Sequence, residues 1–96
     1  MIEISKFRLV ETVQGEEFLE KNAEFQQGFA YQQQGLLRRT VASGLDGEWL
    51  AITWWRSMKE AKQSASNAAV SPLAIEFSSL LDSKSVVTEY FKELPG

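Results

Sequence analysis

Two side chains in this sequence stand where they could bind or activate a small molecule. Trp55 ends an apolar segment, so its indole N–H can donate a hydrogen bond to a ligand, although the ring can equally be a packing residue of the core. Arg8 lies in a strand-like segment, on the face that carries Ile2 and Ile4, and its guanidinium can hold an anionic or enolate intermediate. The alternative for Arg8 is an ion pair with Glu89 on a neighbouring strand.

Three further polar side chains are candidates for the same kind of site. Asn22 lies on an apolar stripe between Phe18 and Phe25, and a buried asparagine there would need hydrogen-bond partners. Its alternative position is the exposed edge of the helix. Tyr31 and Tyr90 can act as acids or hydrogen-bond donors, or they can direct their hydroxyl groups to solvent.

The absence of two residue types narrows the chemistry further. The chain has no cysteine, and therefore no disulfide, thiolate nucleophile or zinc–thiolate site. It has no histidine, which removes the usual general base and every Ser-His-Asp arrangement. A general base could only be a carboxylate of raised pKa, and no Asp or Glu stands out in the sequence as one. We predict neither a metal ion nor a cofactor.

Composition indicates a single folded domain spanning residues 1–96. The apolar fraction of 44% and the charged fraction of 24% are those of an ordinary globular protein. The net charge is −3 with no basic block, so the electrostatic footprint of a nucleic-acid partner is missing. No run of about 18 apolar residues could span a membrane, and the N-terminus does not resemble a signal peptide. These features predict a cytoplasmic protein.

The periodicity of apolar residues predicts the elements that must position these side chains. Strands are expected at 2–10, 36–43, 48–56 and 86–92, and helices at 16–34, at 58–69 and from 72 onwards. The order β-α-β-β-α-β, with the second helical region divided at Pro72, is typical of a ferredoxin-like split βαβ fold. Such a fold is α+β and has an antiparallel four-stranded sheet with both helices on one face.

Local signals fix the ends of these elements. Asp46-Gly47 predicts a hairpin between the second and third strands. Ser57 with Glu60 predicts a capping box, and Ser71-Pro72 predicts a new helix start. Gly35 is expected just after the end of the first helix, where a positive φ is common. Gly28, inside that helix, is expected to allow close packing against the sheet.

The third strand is apolar on both of its faces, which predicts an interface. One face carries Trp49, Ala51, Thr53 and Trp55, and the other carries Leu50, Ile52 and Trp54. One of these sets must face away from the helices, and an exposed apolar patch of that size marks an interaction site. We therefore predict a homodimer whose sheets pack face to face, and expect Ala51→Asp to split or unfold it.

Several short motifs occur in one order along the chain. They are Phe7-Arg8-Leu9, Gly35-Leu36-Leu37-Arg38-Arg39, Asp46-Gly47-Glu48-Trp49-Leu50, Trp55-Arg56-Ser57, and Ser71-Pro72 with Phe77 downstream. The most specific is Trp-x-Ser followed further on by Ser-Pro. Over essentially its whole length the chain resembles the antibiotic-biosynthesis-monooxygenase-like (ABM-like) domains of the dimeric α+β barrel superfamily.

The resemblance implies a ferredoxin-like protomer, a homodimer, and a pocket in each protomer between helices and sheet. The pocket candidates are Trp55, Arg8, Asn22, Tyr31, Phe25 and Phe77. The expected function is the binding of a small apolar or aromatic molecule. The alternative is a cofactor-independent monooxygenase acting on an aromatic or polyketide-type substrate.

Residues implied by the resemblance are only partly present. The cofactor-free monooxygenases of this superfamily use an Asn on the first strand and the Trp of the Trp-x-Ser step. Trp55 matches the Trp, but the first strand has no Asn, and Lys6 or Arg8 lies near its place. The haem-degrading branch adds a His ligand on the second helix, where this chain has Ala65. Haem degradation is therefore not expected, and whether the protein is an enzyme stays open.

Overall fold

A computed structural model describes residues 1–96 as a four-stranded antiparallel sheet with three α-helices. The strands are β1 (Ile2–Phe7), β2 (Leu36–Ser43), β3 (Trp49–Trp55) and β4 (Val87–Phe91), and the helices are α1 (Gly15–Gly28), α2 (Met58–Ala68) and α3 (Pro72–Ser79). The strand order is β2-β3-β1-β4, and each neighbouring pair is antiparallel. This confirms the α+β ferredoxin-like fold expected from the sequence. None of the helices has both the length and the apolar character needed to cross a bilayer.

The first strand is shorter than the sequence alternation predicts, because the chain leaves the sheet after Phe7. The carbonyl of Arg8 accepts a 2.8 Å hydrogen bond from the amide of Asp82. Leu9 forms an isolated antiparallel bridge with Leu81. The segment that follows Phe7 therefore pairs with the chain after α3 and not with the sheet.

The first helix is also shorter than predicted and ends at Gly28. Phe29 has φ −128° and ψ −62°, outside the helical region, and a short 3-10 turn follows at Ala30–Gln32. A Cβ atom at Gly28 would collide with the side chain of Leu73 on α3, so the close approach is to α3. Gly28 therefore allows close packing, as expected, but against α3 and not against the sheet. Gly35 has the positive φ expected of it (+84°), but it lies between the 3-10 turn and β2.

The predicted caps are present at the starts of the second and third helices. The hydroxyl of Ser57 accepts from the amide of Glu60 at 3.2 Å. The hydroxyl of Ser71 accepts from the amide of Ala74 at 3.4 Å, and proline occupies the first turn. Such bonds satisfy amide groups that a helix leaves without intrahelical partners. The two signals therefore divide this region into α2 and α3.

An aromatic cluster holds α1 and α3 against one face of the sheet. Phe18 is fully buried, and its ring centroid lies 5.6 Å from that of Phe7 and 4.8 Å from that of Trp49. On the helical side it lies 5.5 Å from the ring of Phe77. Burying one phenylalanine contributes roughly 1.5–3 kcal/mol, so this cluster is a main anchor of the helical layer.

The strand register shows which side chains face the helices. On β3, Ala51, Thr53 and Trp55 are buried, whereas the residues between them are half-exposed. Ala51 therefore lies under the helices, and the expectation that its substitution probes a sheet–sheet interface was wrong. We call the opposite, helix-free surface the open sheet face. Its apolar residues are Ile2, Ile4, Leu50, Ile52, Trp54, Val87 and Phe91.

Candidate functional site

A cavity of about 190 Å³ lies between the helices and the sheet. Fourteen of its nineteen lining residues are hydrophobic, and Trp55, Phe25 and Phe77 are among them. Alanines of α2 form part of the wall, since Ala61 and Ala65 have side chains too small to fill the space. The alanine-rich composition of α2 therefore leaves room for a ligand.

A row of four side chains crosses the sheet beneath this cavity. Register places Arg39 of β2 opposite Thr53 of β3, Thr53 opposite Glu3 of β1, and Glu3 opposite Tyr90 of β4. Directly opposed residues share a face and have Cβ atoms about 4.5–5.5 Å apart. All four side chains line the cavity. We call this set the polar row; it crosses a largely apolar wall that also contains Ser5 and Ser64.

Glu3 is the carboxylate that the sequence did not single out. Its Oε1 accepts a 2.9 Å hydrogen bond from the indole Nε1–H of Trp55. Burial raises the pKa of Glu3, and the Trp55 hydrogen bond and the charge of Arg39 oppose that rise. A carboxyl group of raised pKa beside a cavity is suited to accept a proton or a hydroxyl hydrogen bond.

Arg39 supplies the positive charge of the site. Its Nη1 donates to Asn22 Oδ1 at 2.7 Å and to Gln26 Oε1 at 2.9 Å, both on α1. Burial lowers its pKa to about 10, with smaller opposing contributions from nearby groups, so the guanidinium is charged at neutral pH. Its carbon lies 5.0 Å from the ring centroid of Phe25 and 5.5 Å from that of Phe77. The aromatic faces and the two amides together fix its position.

Tyr90 completes the row at the β4 edge. Burial is the main cause that raises its pKa, and the charge of Glu3 adds to it. The phenol is therefore protonated at neutral pH and can donate a hydrogen bond. The sequence suggested Tyr90 as an acid or a hydrogen-bond donor, and the structure places Tyr90 in the cavity lining.

The structure brings only some of the predicted site residues together. Trp55, Phe25 and Phe77 line the cavity. Arg8 does not, because β1 ends before it and its guanidinium donates to the carbonyl of Asp46 at 2.8 Å and to that residue's carboxylate at 3.3 Å. Its expected pairing with Glu89 was likewise wrong. These contacts keep Arg8 at the hairpin, outside the site.

Neither Asn22 nor Tyr31 lines the cavity: Asn22 is buried, whereas Tyr31 is exposed. Asn22 is buried and holds Arg39, so it acts on the cavity through that guanidinium. Tyr31 lies on the 3-10 turn with 53% of its surface exposed. Of the adjacent arginines, only Arg39 faces the cavity, as strand alternation predicts. Arg38 lies on the opposite face, 4.9 Å from the ring centroid of Trp54.

No protein-family model matches the sequence, and no curated protein is similar to it in sequence. Several solved structures, in contrast, have the same fold as this chain. A variant of SnoaB, a cofactor-independent oxygenase from Streptomyces nogalater, superposes with a TM-score of 0.76 at 18% identity, over 99% of this chain and 93% of that one. A putative antibiotic biosynthesis monooxygenase from Nitrosomonas europaea gives 0.71 at 12% identity, over 99% and 100% of the two chains. This chain therefore has the fold of the ABM-like proteins.

A third solved structure has the same fold. Rv0793 from Mycobacterium tuberculosis superposes on this chain with a TM-score of 0.71 at 15% identity, over 99% of this chain and 95% of that one. No group of three or more His, Cys, Asp or Glu residues in this domain is placed to hold a metal ion. The polar row and Trp55 are therefore the groups from which its chemistry must be argued.

Proposed function

We propose that this ABM-like domain binds a small aromatic molecule in the cavity beside Trp55. The observation that carries this proposal is an apolar cavity crossed by one polar row. Ligand sites of this kind combine a hydrophobic wall with a few polar groups that set orientation. A cavity of roughly 150 Å³ holds benzene, so about 190 Å³ suits one or two rings.

The lining provides both the packing surface and the polar contacts for such a ligand. Phe25 and Phe77 stack with ring centroids 4.4 Å apart, and Trp55 is buried nearby in the same wall. Glu3 can accept a hydrogen bond from a ligand hydroxyl, and Tyr90 can donate one. Aromatic contacts of this kind are worth about 0.5–1.5 kcal/mol beyond the burial of area.

Calorimetric titration with 2-naphthol tests the binding proposal. We expect saturable binding at one site per chain in the wild-type protein. Ala65→Trp fills the cavity from α2 and is expected to weaken binding at least about tenfold, a loss of about 1.4 kcal/mol. Ala69→Trp, at an exposed alanine outside the lining, is the matched control and is expected to bind normally. Absence of wild-type binding, or equal weakening by both variants, would contradict the proposal.

A second candidate function is cofactor-independent oxygenation, and the Glu3 carboxylate is the observation that favours it. In this chemistry Glu3 takes a proton from an acidic C–H of an electron-rich aromatic ligand. The carbanion formed from a CH₂ group adds O₂ to give a peroxide, which takes the proton back from Glu3. Cleavage of the O–O bond with loss of the second C–H proton then leaves one oxygen atom as a ring carbonyl and releases the other as water. SnoaB is described as a cofactor-independent oxygenase, and its fold matches that of this chain.

Oxygen uptake with 2-tetralone, a two-ring ketone with an acidic CH₂ group, distinguishes this candidate from simple binding. We expect Glu3→Gln to lose most of the oxygen uptake, because an amide cannot take the proton. The matched control is Glu11→Gln, which changes an exposed glutamate outside the cavity lining. Uptake that does not exceed the protein-free rate would leave binding as the function and exclude oxygenation of this probe.

We also propose that the domain is a homodimer formed through the open sheet face. Ile4 and Ile52 lie directly opposite each other on this face, and both are only half-buried in the single chain. Val87 and Phe91 of the edge strand are about half-exposed beside them. A second copy of the same face would remove this apolar surface from water. The cytoplasmic location stays a prediction from the sequence.

A further inference from the structure

Arg39 is a largely buried cation that has no carboxylate partner. Buried charges are usually paired with an opposite charge. The chain has four ion pairs, and none of them includes Arg39. Its two hydrogen-bond acceptors, Asn22 and Gln26, are neutral amides. The protein therefore holds this positive charge in place without neutralising it.

Glu3, the acid of the polar row, interacts with Arg39 through its charge but forms no ion pair with it. Their backbones lie on strands separated by β3, which is two strand spacings, or roughly 9.5 Å. The Oε1 atom of Glu3 already accepts the hydrogen bond of Trp55. The charge of Arg39 therefore stays available on the cavity side of β2.

Some N–H donors of the Arg39 guanidinium are not used in hydrogen bonds within the protein. Arginine carries five N–H donors, and within this chain Arg39 donates only through Nη1. Every fully buried side-chain nitrogen or oxygen in the protein has a hydrogen-bond partner. The Nε and Nη2 atoms of Arg39 have none, so they are not fully buried. Arg39 lines the cavity, so a ligand there can approach its guanidinium.

We propose that Arg39 is an anion-binding site and that the ligand of this cavity is a small aromatic acid whose carboxylate bonds to the guanidinium. This inference rests on the proposed function, since it specifies the class of molecule that the cavity binds. Guanidinium–carboxylate bonds are directional and are stronger than neutral hydrogen bonds. Phe25 and Phe77, which contact the guanidinium, would also flank the aromatic body of the acid.

The polar row also determines how such a ligand is oriented in the cavity. Arg39 offers donors at the β2 side, whereas Glu3 offers an acceptor about two strands away, toward β4. A flat two-ring acid with its carboxylate at Arg39 places its far end near Glu3. A hydroxyl group at that far end would donate to the carboxyl group of Glu3.

Calorimetry with two ligands of the same shape tests the anion site. The probes are 2-naphthoate and its neutral counterpart 2-naphthamide, each titrated into the wild-type protein and into Arg39→Gln. The wild-type protein is expected to bind the naphthoate at least about tenfold more tightly, because a hydrogen bond to a charged group is stronger than a neutral one. Arg39→Gln is expected to abolish this preference and leave naphthamide binding nearly unchanged. Arg8→Gln removes the same charge outside the cavity and is expected to keep the preference.

A second variant covers the case in which Arg39→Gln does not fold. Asn22→Asp places a carboxylate on Nη1 of Arg39 and is expected to reduce naphthoate binding while sparing naphthamide. Equal wild-type affinities for the two probes would overturn the anion site while leaving the proposed function intact. Failure of both probes to bind would contradict the proposed function as well. A purely structural Arg39 would lower stability on substitution but leave the ratio of the two affinities unchanged.

Discussion

The indole N–H of Trp55 donates a 2.9 Å hydrogen bond to the carboxylate of Glu3 across the β1–β3 pair. Register places Glu3 opposite Thr53, so the tryptophan reaches the carboxylate diagonally from two residues further along its strand. The bond links the aromatic wall of the cavity to the acid of the polar row. Trp55 therefore opposes the rise in the pKa of Glu3 that burial causes, and it also shapes the wall of the site.

Replacing Trp55 with phenylalanine should raise the pKa of Glu3 further. The indole donor favours the charged carboxylate, and phenylalanine keeps an aromatic ring but removes that donor. The side-chain carbonyl resonance of Glu3, followed by NMR through a pH titration, reports the pKa directly. Trp54→Phe, on the open sheet face, is the control and should leave the pKa unchanged. An unchanged pKa in Trp55→Phe would show that the hydrogen bond does not tune the acid.

Glu3 should also make the stability of the protein depend on pH. Because its pKa is raised in the folded state, the folded protein binds the proton more tightly than the unfolded chain. Its contribution therefore favours folding at low pH and is lost as pH rises from the ordinary glutamate range through the raised pKa. Glu3→Gln should remove that decline. Urea unfolding at a series of pH values measures it, and parallel curves for variant and wild type would contradict the assignment.

The open sheet face should control the oligomeric state. Ile52→Asp places a charge at the centre of this face and is expected to convert the dimer to a monomer that keeps its far-UV circular dichroism. Leu19→Asp, at an exposed leucine of α1, is the matched control and should stay dimeric. Light scattering coupled to size-exclusion chromatography gives the masses. A wild-type monomer, or an unaffected Ile52→Asp dimer, would rule out this interface.

Two glycines with positive φ should differ in their tolerance of alanine. Both Gly35 (φ +84°) and Gly47 (φ +88°) would impose a cost of about 1–2 kcal/mol on a residue with a Cβ atom. At Gly35 that atom would also collide with the carboxylate of Glu60, which holds Arg56, whereas at Gly47 its nearest neighbour is the flexible end of Arg8 at 3.1 Å. Gly35→Ala should therefore be the more destabilising of the two in urea unfolding. Equal losses of unfolding free energy in the two variants would show that the positive φ alone determines the cost and that the contact with Glu60 adds nothing.

The fold was predictable because its signals are local. The serine caps at Ser57 and Ser71 and the Asp46-Gly47 turn each act within a few residues, and together they mark the boundaries of most elements. The end of β1 was not predictable, since it depends on pairing between Arg8 and Asp82, which are distant in sequence. The placement of Arg8 in the site was wrong for that reason.

The polar row was missed because it exists only through the register of four strands. Glu3 shares a face with the buried Phe7, and this alternation was visible in the sequence. Which face lay under the helices was not visible, so an acid on that face did not stand out. Arg39 was limited to one of two faces by its neighbour Arg38, but its contact with Asn22 required the packing of α1 on β2.

A crystal structure of the wild-type protein with 2-naphthol bound tests the central claim most directly. We expect electron density for the ligand in the cavity, with its rings against Trp55 and Phe77 and its hydroxyl within about 3 Å of a polar-row side chain. Density on the open sheet face or elsewhere on the surface, with the cavity empty, would contradict it. A cavity closed by movement of Trp55 or the phenylalanines would contradict it equally.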